Sequence, residues 1–189
     1  MGLRWAYTRP DGGIDIVQAM RKEDLLPVIG KPDEFGRKSL SDQDYKAFVL
    51  SRSIPADATN VVELPEDWVE PPKTYRNAWV MADGKIAVDP GRKAKLLIPR
   101  IKEEAQRRII ALTGQTDLIS SMVKQSNANM RATELNDKRI SGTQLTADEA
   151  TEAVALRGLA AAIKAIRAKS NELEKNPPDD FEDDKYWQV

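Results

Sequence analysis

The chain has 189 residues, room for one domain or two small ones, with 41% apolar residues, 31% charged residues and a net charge of −1. It contains neither cysteine nor histidine, which removes disulfides, thiolate chemistry, the commonest metal ligand and the commonest general base. The near-zero charge exerts no global pull toward nucleic acid, no run approaches the length of a membrane span, and no charged-then-apolar leader opens the chain.

Leu3-Arg4-Trp5-Ala6-Tyr7 alternates weakly, Asp11-Gly12-Gly13 supplies a turn, and Ile14 and Ile16 resume the alternation. That pattern predicts a β-hairpin. The two glycines do not form a phosphate-binding loop, since no G-x-x-x-x-G-K-[ST] pattern follows. Glu23 to Ile29 predicts a short helix, stopped by Gly30 and Pro32, and Lys31 to Ser39 reads as a loop. Ser41-Asp42-Gln43-Asp44 opens a second helix with Tyr45, Phe48 and Val49 as its apolar face, ending before Pro55.

Val61, Val62 and Leu64 predict a strand, and Pro65 to Pro72 a proline-bracketed connector anchored by Trp68. Two short runs flank Asp83-Gly84, from Tyr75 to Met81 and from Ile86 to Asp89. Asp-Gly between such runs is a strong hairpin signal, with Trp79 and Val88 in its core. Residues 1–90 therefore read as a small α+β docking module, and Pro90-Gly91 as the boundary to a helical hairpin or bundle over 91–175.

In that helical region Ile98, Ile101, Ala105 and, past Arg108, Leu112 step three and four residues apart, one stripe of a helix. Pro99 predicts a kink or a late start. Gly114 allows a stop, with Thr116 or Asp117 capping a new helix. Ile119, Met122 and Ser126 nevertheless keep the phase of Leu112, so one long helix and two helices both fit. The polar stretch Gln125 to Asn129 admits two readings. It is either a register-setting coiled-coil core or, as preferred, a solvated face with Met130 carrying the packing.

Ser141-Gly142-Thr143 is a turn, and Thr146-Ala147-Asp148-Glu149 fits a capping box. The helix it opens carries Leu156, Leu159, Ile163, Ile166, Ser170 and Leu173 in alternating three-four steps, with alanines at 160, 161, 162 and 165. The helices on either side of the turn form an antiparallel hairpin most simply. Their seams close within one chain or against copies of it.

Charge is segregated. Seven basic residues between Arg92 and Arg108 face two acids, whereas the tail after Asn176 holds five acids and one base. The plain reading is that both are solvated; the alternative is that the tail meets the basic helix, in the chain or in a neighbour. Phe181, Tyr186 and Trp187 in the acidic tail (176–189) are expected to dock on the chain itself, a subunit or a partner, because such groups are costly to leave in water.

No reaction is legible. Asp11 with Asp15, and Asp83 with Asp89, lie in or beside turns, where aspartate is a standard former. The run Asp179 to Asp184 lacks the glycine and spacing of a calcium loop. A serine nucleophile has no histidine to activate it. No catalytic, cofactor-binding or metal-ligating residue is assigned, and a non-enzymatic structural or interaction protein is expected.

Three segments suggest a family: Tyr7-Thr8-Arg9-Pro10-Asp11-Gly12-Gly13, Ser53-Ile54-Pro55-Ala56-Asp57-Ala58, and Tyr75-Arg76-Asn77-Ala78-Trp79 followed by Gly84-Lys85 and Val88-Asp89. They resemble small proteins from tailed-bacteriophage and prophage structural gene regions, near tail or tail-fibre genes. Gln115 to Leu118, Asn127 to Ala132 and Asp184-Lys185-Tyr186-Trp187 are similar to helical parts of such proteins. The resemblance covers most of the chain in patches and carries over no catalytic residue.

It implies a virion component of the tail, baseplate or fibre-attachment region, present in the host cytoplasm during assembly. The alternative is a tail or tail-fibre assembly chaperone absent from the mature virion. Partners would be other tail and fibre proteins and copies of the chain, as a trimer or hexamer, without membrane; nucleic-acid binding through the Arg92–Arg108 helix is a poor third. The expected contact residues are Met130, Leu156, Leu159, Ile163, Ile166, Leu173, Phe181, Tyr186 and Trp187.

Overall fold

The computed structural model describes residues 3–188. The protein is α+β, about 55% helix and 15% strand, with small sheets followed by long helices. It divides into two compact units, 1–93 and 94–189.

In the first unit, β1 (Arg4–Thr8) lies between β2 (Ile14–Gln18) and β5 (Thr59–Leu64) in an antiparallel sheet. Successive residues of a strand point to opposite faces, so the central strand feeds two cores. Trp5 is buried with Ala19, Leu25, Leu40, Tyr45 and Val49, the last four contributed largely by α1 (Lys22–Ile29) and α2 (Asp42–Ser53). Ala6 is buried with Ile14, Leu64, Trp79 and Ile86, under the β6 (Trp79–Ala82) and β7 (Lys85–Val88) hairpin.

The turn chemistry explains the strand pairing. Asp11 accepts a 2.8 Å hydrogen bond from the Gly13 amide in the first hairpin. Asp83 and Gly84 take φ of 50° and 72° between β6 and β7, positive at both central positions as the tight hairpin turn requires. Asp89 caps the next helix, accepting from the Arg92 amide at 2.6 Å. Asp11 and Asp83 are turn formers, as their positions read, and Asp89 is a helix cap. The Lys31–Ser39 stretch is not wholly loop: β3 (Lys31–Pro32) pairs with β4 (Lys38–Ser39) around a turn held by Asp33.

Helix α3 (Pro90–Leu112) runs from the end of the first unit into the second and continues through Pro99, so it does not start late there. A proline at 99 leaves the Lys95 carbonyl without its helical donor. Lys95 and Pro99 are both exposed, so water can satisfy that carbonyl and the helix survives. Gly114 then resolves the one-or-two-helix question. With φ of 67° it ends α3, its amide bonding the Ala111 carbonyl at 2.9 Å and Gln115 the Ile110 carbonyl at 3.2 Å. Asp117 caps α4 (Leu118–Ile140) by accepting from the Ser120 amide.

Around the turn at Gly142 the chain reverses into α5 (Ala147–Leu173), whose capping box is complete: Thr146 Oγ1 accepts from the Glu149 amide and Glu149 accepts from the Thr146 amide. The α4–α5 hairpin is stitched by Lys138 to Glu149 and by Arg131 to Glu152 at 3.0 Å.

Candidate functional site

The helical unit carries the features with functional content, and its faces follow from which residues are buried. On α3 the buried stripe is Leu97, Ile101, Glu104, Ala105 and Ile109. It is rotated from the predicted one: Ile98 is only half-buried and Leu112 is 42% exposed. On α5 the predicted stripe stands, with Ile163, Ile166, Ser170 and Leu173 buried and Leu156 and Leu159 half-buried. Ile163, Ile166, Ser170 and Leu173 are thus covered within the chain itself.

The acidic tail belongs to this unit and clasps α3, which corrects the reading that both are merely solvated. Phe181 and Trp187 are 1% and 4% exposed, while Tyr186 is half-buried. The Arg100 guanidinium lies 5.2 Å from the Phe181 ring and Arg108 lies 5.1 Å from Trp187, both within cation–π range. Arg100 pairs with Glu182 at 3.0 Å and Arg108 with Asp184 at 2.7 Å. Trp187 Nε1 donates to the Phe181 carbonyl at 2.6 Å, so the buried indole is satisfied. Tyr186 donates to Asp180 at 2.9 Å, and Lys185 pairs with the same carboxylate. Those contacts hold Asp180 below the usual carboxylate range, the Lys185 hydrogen bond first and Tyr186 second.

Beneath the tail lies Glu104, 8% exposed. Burial alone would raise its pKa, but hydrogen bonds from Arg107 (2.6 Å) and Arg108 (2.7 Å) outweigh it and bring the net value down. Arg108 therefore bridges Glu104, the Glu182 carbonyl and Asp184 while covering Trp187. This hub is structural in form: its carboxylates Glu104, Glu182 and Asp184 are each paired with arginine.

The rotation of α4 is what the sequence left unread. Its buried residues are Ser121 and Leu135, flanked by half-buried Ala128 and Ala132. Ser121 accepts a 2.9 Å hydrogen bond from Thr113 of the α3–α4 turn, in a fully buried pair that sets the helix's angle. Met130 does not carry the packing; it is 63% exposed. With it, half a turn round from Leu135, stand Ile119 at 75%, Met122 at 59%, Val123 at 54% and Ile140 at 77% exposure. The seven-residue phase from Leu112 to Ser126 was a sequence signal for this row, but it marks an open face and not a continuation of the α3 seam. Helix α4 thus has one side covered by its own chain, while the opposite side leaves these large apolar residues exposed among Ser126, Thr133 and Asp137.

Among the described residues, no helix is long and apolar enough to cross a membrane. The chain matches no known protein family, no curated protein and no solved structure.

Proposed function

We propose that this chain is a non-enzymatic structural or interaction protein of a tailed bacteriophage, belonging to the tail, baseplate or fibre-attachment region. The interaction half of this reading is carried by one observation, the exposed apolar face of α4 opposite its packed face. Large apolar side chains gathered on one exposed side of a helix mark a surface that something else commonly covers. The phage half rests on the resemblance of the Tyr7–Gly13, Ser53–Ala58 and Tyr75–Asp89 segments to proteins of phage structural gene regions.

The arginine-clamped hub and the turn aspartates supply no poised acid, base or nucleophile in support of an enzyme. The test is a mass-spectrometric inventory of purified virions of the phage or induced prophage that encodes the chain. Its presence at stoichiometric level supports the reading. Its absence from particles, with co-purification of a fibre protein from infected cells, would replace the virion role with that of an assembly chaperone.

A further inference from the structure

The α4–α5 hairpin has two flanks of opposite character. One carries the Arg131–Glu152 and Lys138–Glu149 pairs. The other is a groove floored by Ala128, Ala132, Leu156, Ala160 and Ile163, about 280 Å³ in volume. Its α5 rim carries Arg157, Lys164 and Arg167, which share one stripe of the helix. Through Ala132 and Arg157 the groove runs on to Asn136 and Arg139. Among the described residues no carboxylate lines either stretch. The sequence explains why: α5 holds no acid between Ala153 and Asn171, and α4 none between Leu118 and Thr133.

The groove cations also lack acids of their own. Arg157 donates to the Ala153 carbonyl at 3.1 Å and Arg167 to Gln125 Oε1 at 3.5 Å. Among the described residues, neither these two nor Lys164 nor Arg139 is paired with a carboxylate. The remaining arginines of the unit, Arg100, Arg107, Arg108 and Arg131, are all ion-paired. We infer that this groove receives an amphipathic helix of a partner protein, with small and aliphatic residues along its seam and carboxylates along the edge that meets α5.

Charge, shape and length select that occupant. Alanine at 128, 132 and 160 lets a helix backbone approach closely, and half-buried Leu156 leaves aliphatic surface for its seam. The α4 rim, Gln125, Asn129 and Asn136, is neutral, so the acidic edge of the partner lies on the α5 side. Arg157 and Lys164 stand one heptad apart, the repeat of helices packed side by side, and the matching acids recur at that spacing. Followed along α4 from Gln125 to Arg139, the groove is about 21 Å long, about four turns of a docked helix. No aromatic ring lines it for base stacking, which favours a peptide over a nucleic-acid strand. So short an interface falls well below the ~800 Å² per partner of a standard stable complex, and an isolated helix binds with Kd on the order of 100 µM. The proposed helix site deepens the interaction half of the reading above, on which it rests, at a surface distinct from the open α4 row; the virion inventory tests the phage origin separately.

Fluorescence anisotropy of a labelled helical peptide of about 18 residues, ~27 Å long, titrated with the full chain to about 1 mM, tests it. The peptide alternates leucine and alanine three and four residues apart, with glutamate along one flanking edge and glutamine elsewhere. The expected result is saturable binding that Arg157→Glu with Lys164→Glu weakens at least about tenfold. A lysine-edged version of the peptide binds that doubly reversed variant and not the parent. Ala160→Gln, which fills the floor without changing charge, weakens binding at least about threefold, whereas Lys124→Glu, outside the groove, leaves it unchanged. All four positions are exposed, so circular dichroism of the variants is expected to match the parent. No binding at the highest concentration overturns the inference, as do equal binding of a scrambled peptide of the same composition and indifference to the charge reversal. Tighter binding of a single-stranded oligonucleotide at the same rim, or self-association of the parent that the charge reversal abolishes, overturns it too, giving the groove to nucleic acid or to a second copy.

Discussion

Phe181→Ala is the sharpest probe of the tail clasp. Phe181 is 1% exposed against α3, and truncating a fully buried Phe typically costs about 3–5 kcal/mol, transfer and cavity together. For a unit of this size each kcal/mol moves Tm by roughly 4–8 °C, so a drop of about 12 °C or more is expected in the transition of the helical unit. The charged contacts that dress the tail are worth far less. Glu182 is 64% and Asp184 88% exposed at the side chain, and exposed pairs contribute about 0–1 kcal/mol each. Glu182→Gln with Asp184→Asn is therefore expected to cost at most about 2 kcal/mol in all, less than Phe181→Ala. The site-specific readout is Trp187, the single tryptophan after residue 93. Its emission, compared with that of a Trp187→Phe control, should shift red in Phe181→Ala. If instead the charge-neutralised variant loses more stability than Phe181→Ala, or Phe181→Ala leaves both Tm and Trp187 emission unchanged, the tail is held by charge or not held at all.

Three further outcomes are expected. Glu104 has its folded pKa depressed by Arg107 and Arg108, so it contributes stability above the unfolded carboxylate pKa, which disappears as pH falls through the lower folded value; urea midpoints should fall in acid for the wild type and less steeply for Glu104→Gln. Thr146→Ala removes the oxygen that accepts from the Glu149 amide and should cost about 1 kcal/mol in urea denaturation. Leu135→Ala, at 1% exposure, should cost about 2–5 kcal/mol, whereas Met130→Ser should change monomer stability by about 0.5 kcal/mol or less. A Met130 effect as large as that of Leu135 would mean the rotation of α4 is wrong.

Local features of this chain were legible because their causes are local. Asp83-Gly84 demands positive φ at two adjacent residues, Ser41 and Asp117 satisfy amides three residues ahead, and Thr146 with Glu149 closes a capping box. The stripe from Leu156 to Leu173 followed from period, the burial of Trp79 from the Asp83-Gly84 hairpin, and the α+β class from the two together. The late start at Pro99 did not follow, because its cost depends on whether the Lys95 carbonyl meets water, a property of the neighbours and not of the proline.

The contact faces were beyond the sequence for a single reason. Period identifies which residues share a side of a helix, but not which side a neighbour covers. In α4, Ser121, Ala128, Ala132 and Leu135 form one side and Ile119, Val123, Met130 and Ile140 the other, the second being the more apolar. The sequence by itself favours burying the greasier row. Tertiary structure buries the plainer one, with Ser121 bonded to Thr113, Leu135 enclosed and Arg131 paired with Glu152 of α5. The tail followed the same rule. Its aromatics and acids were evident, but only the folded chain places Arg100 and Arg108 one above each ring, where a cation and a buried face coincide.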